Sequence, residues 1–159
     1  MLIRGVFFWL LLSSSFAVIA SQPINIFKPG SYREILQQRQ QQPFILVLWS
    51  IDCPPCYEEL ALLGKKIKIR PGLDLVLIST DTTDDIKEIK KQLTKYGLNN
   101  INAWVFADQM AQQLRYKIDP GWYGELPRSY LFDNQHNRHP VSGVLKPEML
   151  QRWQNAVTK

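Results

Sequence analysis

Phe44-Ile45-Leu46-Val47-Leu48-Trp49 is an unbroken apolar run, and Cys53-Pro54-Pro55-Cys56 follows it almost at once. A run with no polar alternation suits a strand buried on both faces, and hence a sheet covered by helices on both sides. Leu60, Leu63 and Ile67 then recur at helical spacing to about Lys68. The two cysteines, the only ones in the chain, therefore sit where a buried strand ends and a helix begins. Pro54 fits the first helical turn, where a missing N–H costs nothing, and Pro55 stiffens the turn further. A bridge between residues so close in sequence closes almost no chain, so a purely structural disulfide here gains little. A helix N-terminus offers free N–H groups and partial positive charge, which favour a thiolate. Cys53 is the expected exposed nucleophile and Cys56, one turn in, the shielded resolving thiol.

The remaining elements alternate. Ser31-Tyr32-Arg33-Glu34 has the form of a capping box, with a helix through Ile35 and Leu36 into the glutamines before Pro43. A second buried strand covers 73–79 after the turn Pro71-Gly72. Thr82 or Thr83 caps a helix carrying Asp84 and Asp85 in its first turn and Ile86, Ile89, Leu93 and Tyr96 on one face, ended by Gly97. A third strand covers 102–107 and a short helix 109–116. Residues 128–133 and 141–145 read as a hairpin, and Pro147 opens a last helix with Leu150, Trp153 and Val157 inward. The expected fold class is α/β, a central mixed β-sheet flanked by helices on both faces, in one domain over 21–159.

Residues 1–20 have the layout of a signal peptide: Arg4, the apolar stretch 6–12, a serine triplet and Val18-Ile19-Ala20 at the cleavage point. The alternative is an uncleaved anchor, although the serines interrupt the roughly 20 apolar residues a span needs. Either way the domain is expected outside the cytoplasm, periplasmic or otherwise exported. The formal net charge of +5 is spread along the chain. Its densest patch, Lys65, Lys66, Lys68 and Arg70, has no aromatic or glycine-rich pattern beside it, so no nucleic-acid partner is expected.

The stretch Leu48-Trp49-Ser50 before the CPPC, Glu59 three residues after Cys56, Ile78-Ser79-Thr80-Asp81, and Leu126-Pro127-Arg128-Ser129-Tyr130-Leu131-Phe132-Asp133 stand in a telling order. Together they resemble the TlpA/ResA/CcmG (DsbE)-like thiol–disulfide oxidoreductases of the thioredoxin superfamily, over essentially the whole chain after Pro23. The resemblance implies a thioredoxin-like fold, with Pro127 cis beside the cysteines and the backbone of Leu126 pairing with an extended substrate. It implies a reductase of periplasmic protein disulfides, for example in cytochrome c maturation, recharged by a DsbD/CcdA-like membrane thiol carrier. No cofactor is expected beyond the two sulfurs, and the protein is expected to be a monomer.

The departures from that pattern bear on reactivity. Asp52 stands where an aromatic or small residue is usual; its charge either opposes a Cys53 thiolate or faces solvent. Val47 occupies the place of a buried acid in thioredoxin itself. Glu59 either turns toward the site in its stead or lies in solvent, and Leu60 replaces the usual proline after it. The chain also inserts residues 119–125 before Leu126. Within them Trp122 and Tyr123 either bind substrate or cap the core.

Rival chemistries find less support. Cys53, Cys56, His136 and His139 have zinc-ligand composition, but the His pair lies far along the chain in a polar loop. Copper handling would call for CxxxC and a dedicated His. A peroxidase needs one cysteine without a close CxxC partner. Ser129 lies near Pro127 but has no glycine-flanked elbow for hydrolysis. A dithiol oxidase of the same fold stays open, because the residues between and beside the cysteines set the direction.

Overall fold

A computed structural model describes residues 22–158 of the chain. The targeting segment expected at 1–20 lies outside them. Six strands form one sheet: β1 (Ile24–Phe27), β2 (Phe44–Trp49), β3 (Leu75–Ser79), β4 (Asn102–Phe106), β5 (Arg128–Phe132) and β6 (Arg138–Ser142). The helices are α1 (Ser31–Gln38), α2 (Pro54–Ile69), α3 (Ile86–Lys95), α4 (Ala111–Ile118) and α5 (Pro147–Val157). The spatial order of strands is β1-β4-β3-β2-β5-β6. The first four in that order run parallel, and β5 and β6 are antiparallel to their neighbours. The mixed sheet and its two helical layers agree with the expected fold class.

Alternation along the strands sorts the core into two layers. Ile45, Val47 and Trp49 face one cluster, together with Leu75, Leu77 and Val105 and the inner faces of α2, α3 and α5. Phe44, Leu46 and Leu48 face the other, together with Val76, Ile78, Tyr130 and the apolar residues of α1 and α4. Every residue of β2 is buried, as a central strand covered on both faces must be. Both cysteines belong to the first cluster.

Several local expectations change. β1 was not expected: only Phe27 of its four residues is buried, so its sequence carries no strand pattern. Ser31 does not cap α1. The N-cap is Gly30 at φ 102°, and Ser31 Oγ instead accepts the Lys28 N–H at 3.1 Å. The helix ends at Gln38, short of the glutamine run's end. A 3₁₀ turn at Thr83–Asp85 precedes α3, with the Thr82 N–H and hydroxyl both donating to Asp85. The final strand lies three residues earlier than expected, at Arg138–Ser142, and only Val141 of it is buried. It is an edge strand, and its polar residues and Pro140 suit an edge; Leu145 belongs to the connection into α5.

Candidate active site

The cysteine turn leaves the end of β2 and enters α2. Cys53 is the N-cap residue in extended conformation, with Pro54 and Pro55 opening the helix and exposed to solvent. The Cys56 N–H donates to the Cys53 carbonyl at 3.0 Å. The two sulfurs form a disulfide, with Cα atoms 5.3 Å apart. Cys53 is 8% exposed and Cys56 is fully buried. Cys53 is thus less open than the sequence suggests, because its sulfur is drawn toward a partner seated in the core. The asymmetry between the two nonetheless has the expected sense.

Asp81 and Tyr57 hold the approach to this turn. The Asp81 carboxylate, at the end of β3, accepts from Ser50 Oγ at 2.6 Å and the Ile51 N–H at 3.0 Å, and also from Ser79 Oγ. Ser50 Oγ in turn accepts the Asp52 N–H at 3.1 Å. Tyr57, the residue after Cys56, donates its hydroxyl to the Ile51 carbonyl and stacks on Tyr96 with ring centres 6.1 Å apart. The Asp52 residue itself is exposed, so its charge faces solvent. Sequence reasoning noted Ser79-Thr80-Asp81 only as a point of resemblance. Replacing Asp81 by Ala is expected to lower stability by about 2–3 kcal/mol, since hydrogen bonds to a charged group contribute about 1.5–3 each. Asn, which keeps one acceptor, should lose less. Urea midpoints of the two variants check this; equal midpoints with the wild type would remove Asp81 from the role.

Glu59 is not solvated. It is 0% exposed and shares the buried face of α2 with Cys56, Leu60 and Leu63. Its carboxylate accepts from Ser129 Oγ on β5 and from the Leu145 N–H at 3.1 Å. Burial pushes its carboxyl above the usual range, opposed by those two hydrogen bonds. Val47 is paired with Ser129 across the sheet. Glu59 thus brings a buried carboxyl from α2 to the strand position beside Val47.

Leu48 pairs with Arg128, so Pro127 falls opposite Trp49, at the end of β2 from which the cysteine turn departs. Pro127 is buried and its peptide bond with Leu126 is cis. Leu126 is half-buried and packs against both core clusters, one of which contains the cysteines. The inserted loop before it turns its two aromatics opposite ways. Trp122 is buried under α4 and donates Nε1–H to the Glu125 carbonyl at 2.9 Å, whereas Tyr123 is 94% exposed.

Asp119 anchors that loop. Its carboxylate takes the Tyr130 hydroxyl at 2.8 Å and guanidinium groups of Arg128 and Arg138 at 3.2 Å each. Both guanidiniums also lie over the Tyr130 ring, at 5.2 and 5.3 Å. Burial alone would push the Asp119 carboxyl up, but the hydrogen bonds from Tyr130 and the Gly121 N–H, with the two cations, hold it below its ordinary value. Burial raises the Tyr130 hydroxyl. Nothing in the local sequence signals this network, whose members come from the loop, β5 and β6.

The histidines lie elsewhere. His136 packs edge-on against Phe44 and Phe132, at the opposite end of β2 from the cysteines, and its Nε2 meets the Arg39 carbonyl at 2.7 Å. The four-ligand set Cys53, Cys56, His136 and His139 is therefore not assembled. Among the described residues no group of three or more His, Cys, Asp or Glu side chains converges, and no helix is long and apolar enough to cross a membrane.

No protein-family model and no curated protein matches the sequence. Solved structures do match the fold. A secreted Mycobacterium tuberculosis disulfide oxidoreductase homologous to E. coli DsbE aligns over 76% of this chain and 85% of its own, at 20% identity and a TM-score of 0.58. A thioredoxin-family thiol:disulfide interchange protein from Chlorobium tepidum aligns over 78% and 85%, at 19% identity and 0.57. The thioredoxin domain of a Bacteroides vulgatus thiol–disulfide oxidoreductase aligns over 77% and 84%, at 17% identity and 0.57. With its CPPC turn at the head of α2 and a cis proline opening β5, the chain has the thioredoxin fold.

Proposed function

We propose that the protein is an exported thiol–disulfide oxidoreductase that reduces disulfides of periplasmic proteins. One observation carries the reading: a disulfide at the start of a helix, with its first cysteine slightly exposed and its second fully buried. In the reduced protein, the Cys53 thiolate attacks a substrate disulfide. A Cys53–substrate disulfide forms and one substrate thiolate leaves. The Cys56 thiolate then attacks Cys53 Sγ, closing Cys53–Cys56 and releasing the second substrate thiolate. Two electrons pass from protein to substrate, and a membrane thiol carrier of the DsbD/CcdA kind restores the dithiol. Leu126 and Pro127 form the wall against which the substrate backbone lies. Glu59 takes the proton that Cys56 sheds when it attacks, since residues three apart on one helix face are neighbours. Candidate substrates include the haem-site cysteines of apocytochrome c, and the protein acts as a monomer. The secreted mycobacterial oxidoreductase of the same fold supports the export reading.

Two measurements test this. Cys56→Ser is expected to accumulate a mixed disulfide with glutathione, and Cys53→Ser to form none; a Cys53→Ser variant that still exchanges would refute the mechanism. Equilibration with glutathione sets the direction. A potential near about −270 mV supports a reductase, and one near about −120 mV makes the protein an oxidase of the same fold.

A further inference from the structure

Four large apolar or aromatic residues among those described are strongly exposed, and two of them, Tyr116 at 63% and Tyr123 at 94%, line one cleft. The cleft measures about 360 Å³ and lies between α4 and the 119–125 loop, bounded also by Gln112, Arg115, Pro120 and Trp122. It is preformed. The Trp122 N–H and indole are both bonded within the loop, the Gly121 N–H is held by Asp119, and Asp119 is fixed by two arginines and Tyr130. A preorganised loop loses little freedom on binding. Tyr123 stands three residues before Leu126, so the cleft lies within roughly 11 Å of extended chain from the proline wall.

Charge selects the occupant. The nearby carboxylates are engaged: Asp119 with Arg128 and Arg138, and Glu125 with Arg128. Arg115 has no ion pair among the described residues. Its guanidinium lies against Gly124, where an added Cβ would stand 2.9 Å from Nη1. A guanidinium without an ion pair, in a cleft that two exposed tyrosines also line, fits a carboxylate flanked by apolar or aromatic groups.

We infer that this cleft is a specificity site for the partner polypeptide, taking an acidic, extended segment a few residues from the cysteine that reacts with Cys53. The inference rests on the redox reading above. A substrate chain lying along Leu126 continues toward Tyr123, and its carboxylate meets Arg115 while a neighbouring side chain seats between Tyr116 and Tyr123.

The test uses two decapeptides, each carrying one cysteine as a mixed disulfide with glutathione and differing only in Glu or Lys near the cleft-facing end. Rates with the reduced protein are read by mass spectrometry, as the Glu/Lys ratio within each protein, so any general change in reactivity cancels. The wild type should prefer the Glu peptide about tenfold at low salt, with the preference shrinking as salt screens the charges. Arg115→Glu should invert the ratio, and Tyr123→Ala should raise KM for both peptides with kcat little changed. An Arg115→Glu ratio equal to the wild type's overturns the inference while leaving the redox reading intact. Wild-type protein inert toward both peptides and glutathione disulfide overturns both. Concentration-dependent dimerisation abolished by either substitution would make the cleft a self-association face and also overturn it.

Discussion

Alanine at position 64 is expected to destabilise the protein by at least about 2 kcal/mol, although alanine is the better helix former by about 1 kcal/mol. Gly64 is buried on α2, and a Cβ there would stand 2.0 Å from the Tyr96 carbonyl oxygen and 3.1 Å from its carbon. That carbonyl cannot swing aside. Gly97 follows it at φ 72°, and the Gly97 and Leu98 N–H groups bond back to Thr94 and Leu93, closing the end of α3. The only relief is to move α2 and the end of α3 apart, which opens the packing of Leu63 and Leu93 in the same cluster. Tyr96 stacks on Tyr57, which holds the loop before Cys53, so the displacement also reaches the cysteine turn. Urea unfolding measures the loss. Gly72→Ala is the control, with nothing within 4 Å of its added Cβ, and should change stability by less than about 0.5 kcal/mol. Equal midpoints for the two variants would show that the α2–α3 approach yields more readily than its geometry implies.

What the sequence made legible follows from how local each signal is. β2, the cysteine turn and α2 announce themselves through a run of consecutive apolar residues, two prolines and a helical repeat, all within one stretch. The proline before β5 was placed by its order relative to that stretch. The features missed or left with two readings open are those whose partners are remote or whose pattern is thin. Glu59 looks like any helix glutamate beside Glu58; its donors, Ser129 and Leu145, lie 70 and 86 residues away. β1 and β6 are edge strands with one buried side chain each, so neither writes an alternation into the sequence. Ser31 satisfied a capping pattern, yet the chain used Gly30 at positive φ as the cap. The inserted loop was visible as an insertion, but that Trp122 turns in while Tyr123 turns out depends on Asp119, whose partners come from β5 and β6.

Substituting Glu59 by Gln is expected to leave the fold intact, flatten the pH dependence of stability and slow the resolving step. Gln reproduces the protonated acid: its oxygen can accept the Leu145 N–H and its amide can donate to Ser129. Burial raises the Glu59 carboxyl above its unfolded value, so the folded state holds its proton more tightly than the unfolded chain does. Wild-type stability therefore falls as pH rises from the ordinary glutamate range through the raised folded value, by about 1.4 kcal/mol for each unit of elevation. Below that window both states are protonated and the two proteins should match; above it the Gln variant should be the more stable. Urea midpoints at acid and neutral pH read the difference, and a gap independent of pH would show that Glu59 does not titrate on folding. Ala at 59 should behave oppositely, losing roughly 2–4 kcal/mol near pH 4, because it leaves the Leu145 N–H unpaired and opens a cavity beneath Cys56. The kinetic consequence separates packing from chemistry. If Glu59 accepts the Cys56 proton, the Gln variant should resolve a Cys53 mixed disulfide about 100-fold more slowly at neutral pH, at the lower end of what a positioned base contributes. A well-folded Gln variant that resolves at the wild-type rate would leave Glu59 as a structural acid only.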